Sequence, residues 1–439
     1  MKKHILKLMT TLLSLVLFLS IIGCGSSSGS QVGSSQPTES VSSQTTAPEQ
    51  KEEIEIRIIN QRADREDAYK EVFRKFNAIP EYAHIKISME NVKAENYYTT
   101  LNTAIQSGDI PDLFTSHGNK LFHLENYVNT GVCMELDELI DVSGYSDIMV
   151  DTGKVNGKLY MSPGAFYDVW AVFYNKGIFD KYGISVPKSF TEFEEICDKL
   201  LSEGITPMSF PGKNDSIGTG HTSFLIIPTE NRDWVGDFID GTASINDNRV
   251  SESLRLWENW AEKGYYGKDW KGFDLSGAIL QFTNEEAAMF WVMFSQKTAL
   301  AANPDIDLGA FYMPTRDGES LKIVGRDTFT GYSVSSKTKH ADEALDVLRY
   351  LMLPESVQII ADVNINMPAL EGVICRDELY SDLMDCDVTI THWMDYTQPK
   401  VIPDSGVDFY TEWKRIMQSL IFGEMSVDNA VEELDSYLH

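Results

Sequence analysis

The sequence predicts an α/β protein of two lobes, built on mostly parallel sheet flanked by helices. Three observations lead there. Apolar residues alternate with charged ones at Ile54, Ile56 and Ile58, recur at helical spacing at Tyr69, Val72, Phe73 and Phe76, and alternate again at Ile85, Ile87 and Met89. Strand, helix, strand is the repeating unit of a parallel sheet. The alternation continues through a helix with Leu101, Ala104 and Ile105 that ends near Gly108 and passes Pro111 into the short apolar segment Leu113-Phe114. Finally, roughly 390 residues follow a polar N-terminal stretch, a length that divides into at least two cores.

Taken in order, the chain opens with Lys2, Lys3 and Lys7 and an apolar run over residues 8–22 broken only by Thr and Ser, which reads as a signal peptide over residues 1–23. The run closes on Ile21-Ile22-Gly23-Cys24, a small residue before a cysteine, and this resembles the lipobox at which bacterial lipoproteins are cleaved and acylated; Cys24 is then the lipidated N-terminus. An uncleaved membrane-spanning anchor is the alternative, and both readings place the remainder on the extracellular face of the cell membrane. Residues 24–52 are rich in Ser, Gly, Gln, Thr and Pro, with too little apolar surface to offset the entropy of ordering them, and form a tether. Gly25-Ser26-Ser27-Ser28-Gly29 satisfies the Gly-x-Ser-x-Gly pattern of hydrolases but lacks the strand and helix that pattern needs, so the match is accidental.

The 37 Lys and Arg against 66 Asp and Glu give a net charge of −29, and losing the three signal lysines takes it to −32. Such a surface repels nucleic acid and anionic lipid headgroups. Cys133, Cys197, Cys375 and Cys386 make no C-x-x-C pair and have no His at metal spacing, so neither metal nor cofactor is expected. Cys197 shares a helical period with Phe190, Phe193, Ile196, Leu200 and Leu201 and reads as a buried free thiol; Cys375 and Cys386 are spaced to close a short loop, which spacing alone does not establish. In open parallel sheets ligands bind beyond the carboxyl ends of the strands, which singles out the loop Thr115-Ser116-His117-Gly118-Asn119. His117 reads equally as an ordinary loop histidine.

Four segments then resemble one family. They are Ala104-Ile105-Gln106-Ser107-Gly108-Asp109-Ile110-Pro111-Asp112-Leu113; Asn156-Gly157-Lys158-Leu159-Tyr160-Met161-Ser162-Pro163; Phe173-Tyr174-Asn175-Lys176-Gly177-Ile178-Phe179 with Pro187-Lys188-Ser189-Phe190; and Phe282-Thr283-Asn284-Glu285-Glu286-Ala287-Ala288-Met289-Phe290-Trp291, where Glu285 stands at a usual glycine. Later, Gly331-Tyr332-Ser333-Val334-Ser335 and Ile421-Phe422-Gly423-Glu424-Met425-Ser426 continue the match. Each motif is loose, but their order and spacing resemble the family 1 extracellular solute-binding proteins. The resemblance implies the type II periplasmic-binding-protein-like fold, with an N-lobe of residues 53–166 plus 305–352 and a C-lobe of 167–304 plus 353–439. It implies crossings near residues 165–170, near 300–314 and near Leu353. It also implies a ligand in the cleft between the lobes, closure by hinge rotation, and delivery to the permease subunits of an ABC importer.

Sugars present hydroxyl rims and apolar C–H faces, so a site for them needs aromatic platforms and polar side chains together. In the family's maltose-binding member a carboxylate precedes the Tyr-Asn-Lys strand by six residues, and the same offset from Tyr174 lands on Asp168, beside Tyr167 and Trp170. A backbone-capping hinge carboxylate is the other reading of Asp168. The family's carboxylate after the Pro-Asp strand falls on Asn119, with Ser116 where an aromatic would stand. Trp291 reads as a stacking platform or as core. His221 in a Gly-rich turn, Arg326 with Asp327, and Trp393 complete the candidate ligand-binding set; Arg326 and Asp327 read equally as a surface ion pair. Trp257 and Trp260, three apart, read as helix packing. The reading is thus of a monomeric, non-enzymatic carbohydrate-binding lipoprotein. The alternatives are a lipid-anchored glycosidase, or a binding protein that feeds a membrane sensor. Against the enzyme stands the lack of His-Glu-x-x-His, a P-loop or a zinc pattern.

Overall fold

Isoleucines alternating with charged residues make β1 (Ile54–Asn60) a strand whose inner face is buried, and it becomes central because it has a partner on each side. The computed structural model describes residues 52–439 except 62–64, 119–122, 325–329, 364–366, 384–385, 391–392, 398–399 and 404; the signal peptide and Cys24 therefore lie outside the described residues. After α1 (Glu66–Asn77), whose Tyr69, Val72 and Phe76 are buried, β2 (Ile85–Asn91) pairs parallel with β1, Ile54 opposite Ile85. α2 (Ala94–Ser107) ends on Gly108 in the left-handed conformation, φ 77°, which glycine adopts without a Cβ clash. β3 (Leu113–His117) then pairs parallel on the other edge of β1. The Pro-Asp motif has a physical role here: the Asp112 carboxylate accepts the Arg57 amide at 2.8 Å and the Thr338 hydroxyl, tying the start of β3 to the middle of β1 and to the segment around Thr338. β4 (Lys154–Val155) and β5 (Lys158–Leu159) form a hairpin on Asn156 and Gly157, both with positive φ, the signature of a two-residue turn.

The chain leaves this lobe through β6 (Phe166–Tyr167) and enters β7 (Val169–Asn175), nearly all of it buried at the centre of a second sheet. Asn175 explains the Tyr-Asn-Lys motif. Its side-chain oxygen accepts the Ile178 amide at 3.1 Å to cap α3 (Lys176–Tyr182), while its amide donates to Glu285 at 3.2 Å. Ser189 caps α4 (Phe190–Ser202), which buries Phe190, Phe193, Cys197 and Leu200 as the period predicts. Then come β8 (Thr206–Ser209), α5 (His221–Glu230) and α6 (Asn248–Lys263), the last burying Trp257 and Trp260 completely. β9 (Ala287–Met293) pairs antiparallel with β7 and parallel with β8. Glu285 precedes it with φ 61°, so it keeps the left-handed turn its usual glycine would make, at a strain of about 1–2 kcal/mol. β10 (Leu308–Phe311) and β11 (Leu321–Val324) share the far edge of β7, opposite residues 172–175 and 169–170 respectively.

The chain returns in β12 (Thr330–Val334), antiparallel to β3, to complete the sheet order β12-β3-β1-β2. Gly331 is required there, because a Cβ would lie 1.9 Å from the Ser162 carbonyl oxygen. α7 (Ala341–Leu351) and α8 (Pro354–Val363) follow, then β13 (Met367–Pro368), which pairs with β6, and β14 (Val388–Ile390), parallel to β11. α9 (Phe409–Ile421) covers the second lobe with Trp413, Ile416 and Leu420.

Three details depart from the expected layout. The second sheet is mixed, because β9, β10 and β11 all run back against the outgoing β7. β10 and β11 belong to this sheet and not to the first lobe, since the buried β7 needs its second edge paired along its length. α8 starts three residues after α7 ends and buries Val357, Ile360 and Ala361 in the first-lobe core, so there is no room to cross at Leu353. The described chain is thus in the second sheet at Val324 and in the first at Thr330, in place of a change at residues 300–314, and is in the first-lobe core in α8 before pairing with β6 at β13. Cys375 and Cys386 are separate thiols, and Cys197 is fully buried, which raises its pKa well above the usual thiol range.

Candidate functional site

At the carboxyl ends of the first-lobe strands the side chains form a polar network. The Asn60 amide donates to the Asn91 carbonyl oxygen at 2.8 Å, and the Asn60 oxygen accepts from Tyr332 Oη at 3.0 Å and from Thr115 Oγ1 at 3.2 Å. Thr115 Oγ1 accepts the Gln61 amide at 3.2 Å, and Tyr97 Oη donates to the Thr115 carbonyl. Burial holds the Tyr97 and Tyr332 phenols neutral, well above their usual pKa, so both act as donors. Beneath this network is a cavity of about 50 Å³ bordered by Asn60, Arg65, Thr115, Ser162, Phe166 and Tyr332, with the buried Arg65 guanidinium 5.1 Å from the Phe166 ring centroid. It has room for a few water molecules and not for a sugar ring.

In the second lobe, a π-helical turn over Asp215–Gly220 is capped by Asn214, whose side chain accepts the amides of Ser216 and Ile217. Extra-residue turns of this kind re-aim side chains and recur at functional sites. Here the turn delivers His221 onto the face of Trp170, ring centroids 5.0 Å apart and 27° between planes. His221 Nδ1 lies 2.6 Å from the Ser216 carbonyl oxygen, which assigns the proton to Nδ1. Tyr410, in the first turn of α9, completes the cluster, its Oη 2.9 Å from Ser216 Oγ and its ring 5.9 Å from that of His221.

Asp168 sits between β6 and β7, buried, with Oδ1 accepting the amides of Val169 and Ser295 at 3.0 Å each. Val324 stands opposite Val169, and six residues later Thr330 stands opposite His117, so a single short connection links the strand ends that carry Asp168 and His117.

The sequence-derived candidates that lie among the described residues separate into four groups. Asp168, Trp170 and His221 gather at the inner end of the second lobe, all three buried, and Trp170 is core like Trp291, with His221 stacked on its face. Ser116 and His117 end β3 in the first lobe, His117 against the Tyr98 hydroxyl and Ser116 with no partner for Oγ among the described residues. Tyr167 turns away from Asp168, as neighbours on a strand do, and lines a groove of about 680 Å³ with Tyr145, Lys322, Pro368 and Tyr380. Trp291 and Trp393 are core. Trp291 is buried on the same face of the second sheet as Val172 and Trp170. Trp393 is enclosed by Phe224, Trp234, Phe238 and Trp413 and donates its N–H to the Phe224 carbonyl at 3.2 Å. Such surroundings leave no ring face for a ligand. Asn119, Arg326 and Asp327 lie outside the described residues.

Sequence reasoning missed Asn60, Ser216, Tyr332 and Tyr410. The rule that pointed to residues 115–119 applies equally to Asn60 at the carboxyl end of β1. Tyr410 carries no local signal, because its place beside His221 comes from contacts nearly two hundred residues apart.

Two α/β lobes joined by three crossings, with aromatic and polar side chains gathered where the crossings meet the sheets, define a hinged binding protein of the type II arrangement. The bacterial extracellular solute-binding protein family model matches residues 62–358. The chain belongs to that family. It is 23% identical over 332 residues to the multiple sugar-binding protein of Streptococcus mutans, covering 73% of this chain and 76% of that one. It is 25% identical over 319 residues to an uncharacterized ABC transporter extracellular-binding protein of Pyrococcus horikoshii, covering 70% and 69%. Among solved structures, apo RafE from Streptococcus pneumoniae superposes with a TM-score of 0.72 at 23% identity, covering 88% of this chain and 97% of that one. RafE in complex with raffinose gives 0.68 at 22%, covering 88% and 98%.

Proposed function

We propose that this protein captures a carbohydrate between its lobes at the outer face of the cell membrane, where a lipid on Cys24 holds it, and passes the sugar unchanged to the permease subunits of an ABC importer. The observation that carries the sugar assignment is the half-buried Tyr410 ring packed against His221, which is backed by the buried Trp170, with the Ser216 hydroxyl beside it and the Asp168 carboxylate at the neighbouring crossing. The Tyr410 ring offers a face to the C–H surface of a sugar, and the hydroxyl, imidazole and carboxylate match its hydroxyls. The Asn60–Thr115–Tyr332 network supplies neutral amide and hydroxyl groups at the first-lobe strand ends, in keeping with an uncharged polyol. The relative named as a multiple sugar-binding protein and the RafE complex with raffinose support the same class. Rotation of the lobes about the crossings encloses the ligand and creates the closed surface that a permease distinguishes from the open one.

The test is a thermal-shift panel of mono- and oligosaccharides on the compact unit Lys51–His439, with amino acids, peptides and polyamines as controls. A ligand specific to the folded state adds about 2.7 kcal/mol of stability at a hundredfold excess over its Kd. A shift with one saccharide class, and recovery of that saccharide intact, is the expected result. A shift with controls alone overturns the sugar assignment, and cleavage of the saccharide replaces capture with hydrolysis. For the anchor, Cys24→Ser is expected to release the protein into the medium.

A further inference from the structure

Two residues beyond Ser295, Lys297 makes an ion pair with Asp377. Both side chains are largely shielded, 21% and 11% exposed, which sets the pair apart from other ion pairs among the described residues, most of which lie in the open. Asp377 is itself held, its Oδ1 accepting the Leu379 amide at 3.0 Å as the cap of a short helix, Glu378–Asp382. That segment follows the third crossing, whose β13 pairs with β6 of the first crossing: Met367 stands opposite Tyr167, the neighbour of Asp168. The contacts therefore close a ring. It runs from Asp168 to the Ser295 amide, along the turn to Lys297, across to Asp377, and back through β13 and β6 to Asp168.

We propose that Lys297 and Asp377 are positioning residues: their pair pins the Phe294–Lys297 turn to the segment after the third crossing, keeps the Ser295 amide aimed at Asp168, and so makes Asp168 a fixed part of the second lobe. A shielded ion pair resists separation, because parting the partners leaves a charge with poor solvation. An amide that donates to a carboxylate in turn forms one of the stronger hydrogen bonds. Asp168 then moves with Trp170, His221 and Tyr410 as one preformed half-site, and the first and third crossings bend on their first-lobe side. The consequence for ligand binding rests on the reading of Asp168 as a cleft residue; the clamp itself does not.

The experiment is amide hydrogen exchange on the purified protein without ligand, resolved to Val169 and Ser295, for the wild type and for Lys297→Met, Asp377→Asn and Lys297→Arg, with thermal midpoints measured alongside. The clamp predicts exchange at Ser295 and Val169 about tenfold faster or more in Lys297→Met and Asp377→Asn, a fold-change of about 1.4 kcal/mol in local opening. Peptides from α4 and α6 stay at wild-type rates, and Lys297→Arg restores protection. Unchanged rates at Ser295 and Val169 overturn the proposal. So does acceleration spread over the whole second lobe with a falling midpoint, which marks the pair as general ballast. Asp168→Asn in the saccharide panel is the separate control. If it binds sugar normally while the exchange result holds, the ligand role of Asp168 falls and the clamp stands.

Discussion

The two lobes reach their inner ends by different chemistry. In the first lobe, three parallel strands bring their carboxyl ends together, and the groups there are amides and hydroxyls already bonded to one another: Asn60, Asn91, Thr115 and Tyr332. In the second lobe the sheet is mixed, and at the inner end Tyr410 meets His221 edge-on, His221 in turn stacking on Trp170 of a core that also contains Trp234, Trp257, Trp260, Trp393 and Trp413. A parallel sheet supplies aligned strand ends, which suits a polar rim. A mixed sheet with strands returning on both edges supplies broad apolar faces, which suits platforms. The comparison teaches that adjacent aromatic residues in the second lobe have opposite roles, core or platform, according to whether a ring face is covered.

The largest expected effect tests that division. Trp393→Ala should destabilise the protein by about 3–5 kcal/mol, the usual cost of emptying a buried tryptophan site, while leaving saccharide affinity within about twofold in the fraction that stays folded. Urea unfolding and calorimetric titration would read the two quantities, and a large affinity loss at unchanged stability would return Trp393 to the site. Next in size, Tyr410→Ala should raise the saccharide Kd about tenfold or more, roughly 1.4 kcal/mol, with little loss of stability. Its first-lobe counterpart, Tyr332→Phe, removes a donor to Asn60 and should lower stability by about 1 kcal/mol. If Tyr332→Phe weakens binding more than Tyr410→Ala, the polar wall and not the ring wall dominates recognition.

A further effect is alkaline. Burial pushes the Cys133 thiol and the Tyr127 phenol, both in the first lobe, up to about 12. Each is an acid whose folded pKa is raised, so the native state keeps protons that the unfolded chain has already released. Stability is then unaffected below the unfolded thiol value of about 8.5 and falls as pH rises from there toward 12, by on the order of 1 kcal/mol per pH unit for Cys133 alone. Urea midpoints at pH 8 and pH 10 would show the fall, and a flat response would place Cys133 and Tyr127 in wetter surroundings than described.

Several features were determined by local sequence because their physics is local. The alternation at Ile54–Ile58 and the helical period around Cys197 dictate which faces are buried, whatever the partner. Asn156-Gly157 makes its own turn, and Asn175 caps its own helix. Tertiary structure decided what depends on who covers whom. It assigned β10 and β11 to the second sheet, because β7 needed an edge filled. It turned Tyr167 and Asp168 to opposite sides of one crossing strand. It enclosed Trp393 while bringing Tyr410 to His221. Burial and long-range contact are properties of the assembled chain, and a residue type at a spacing carries only the capacity for them.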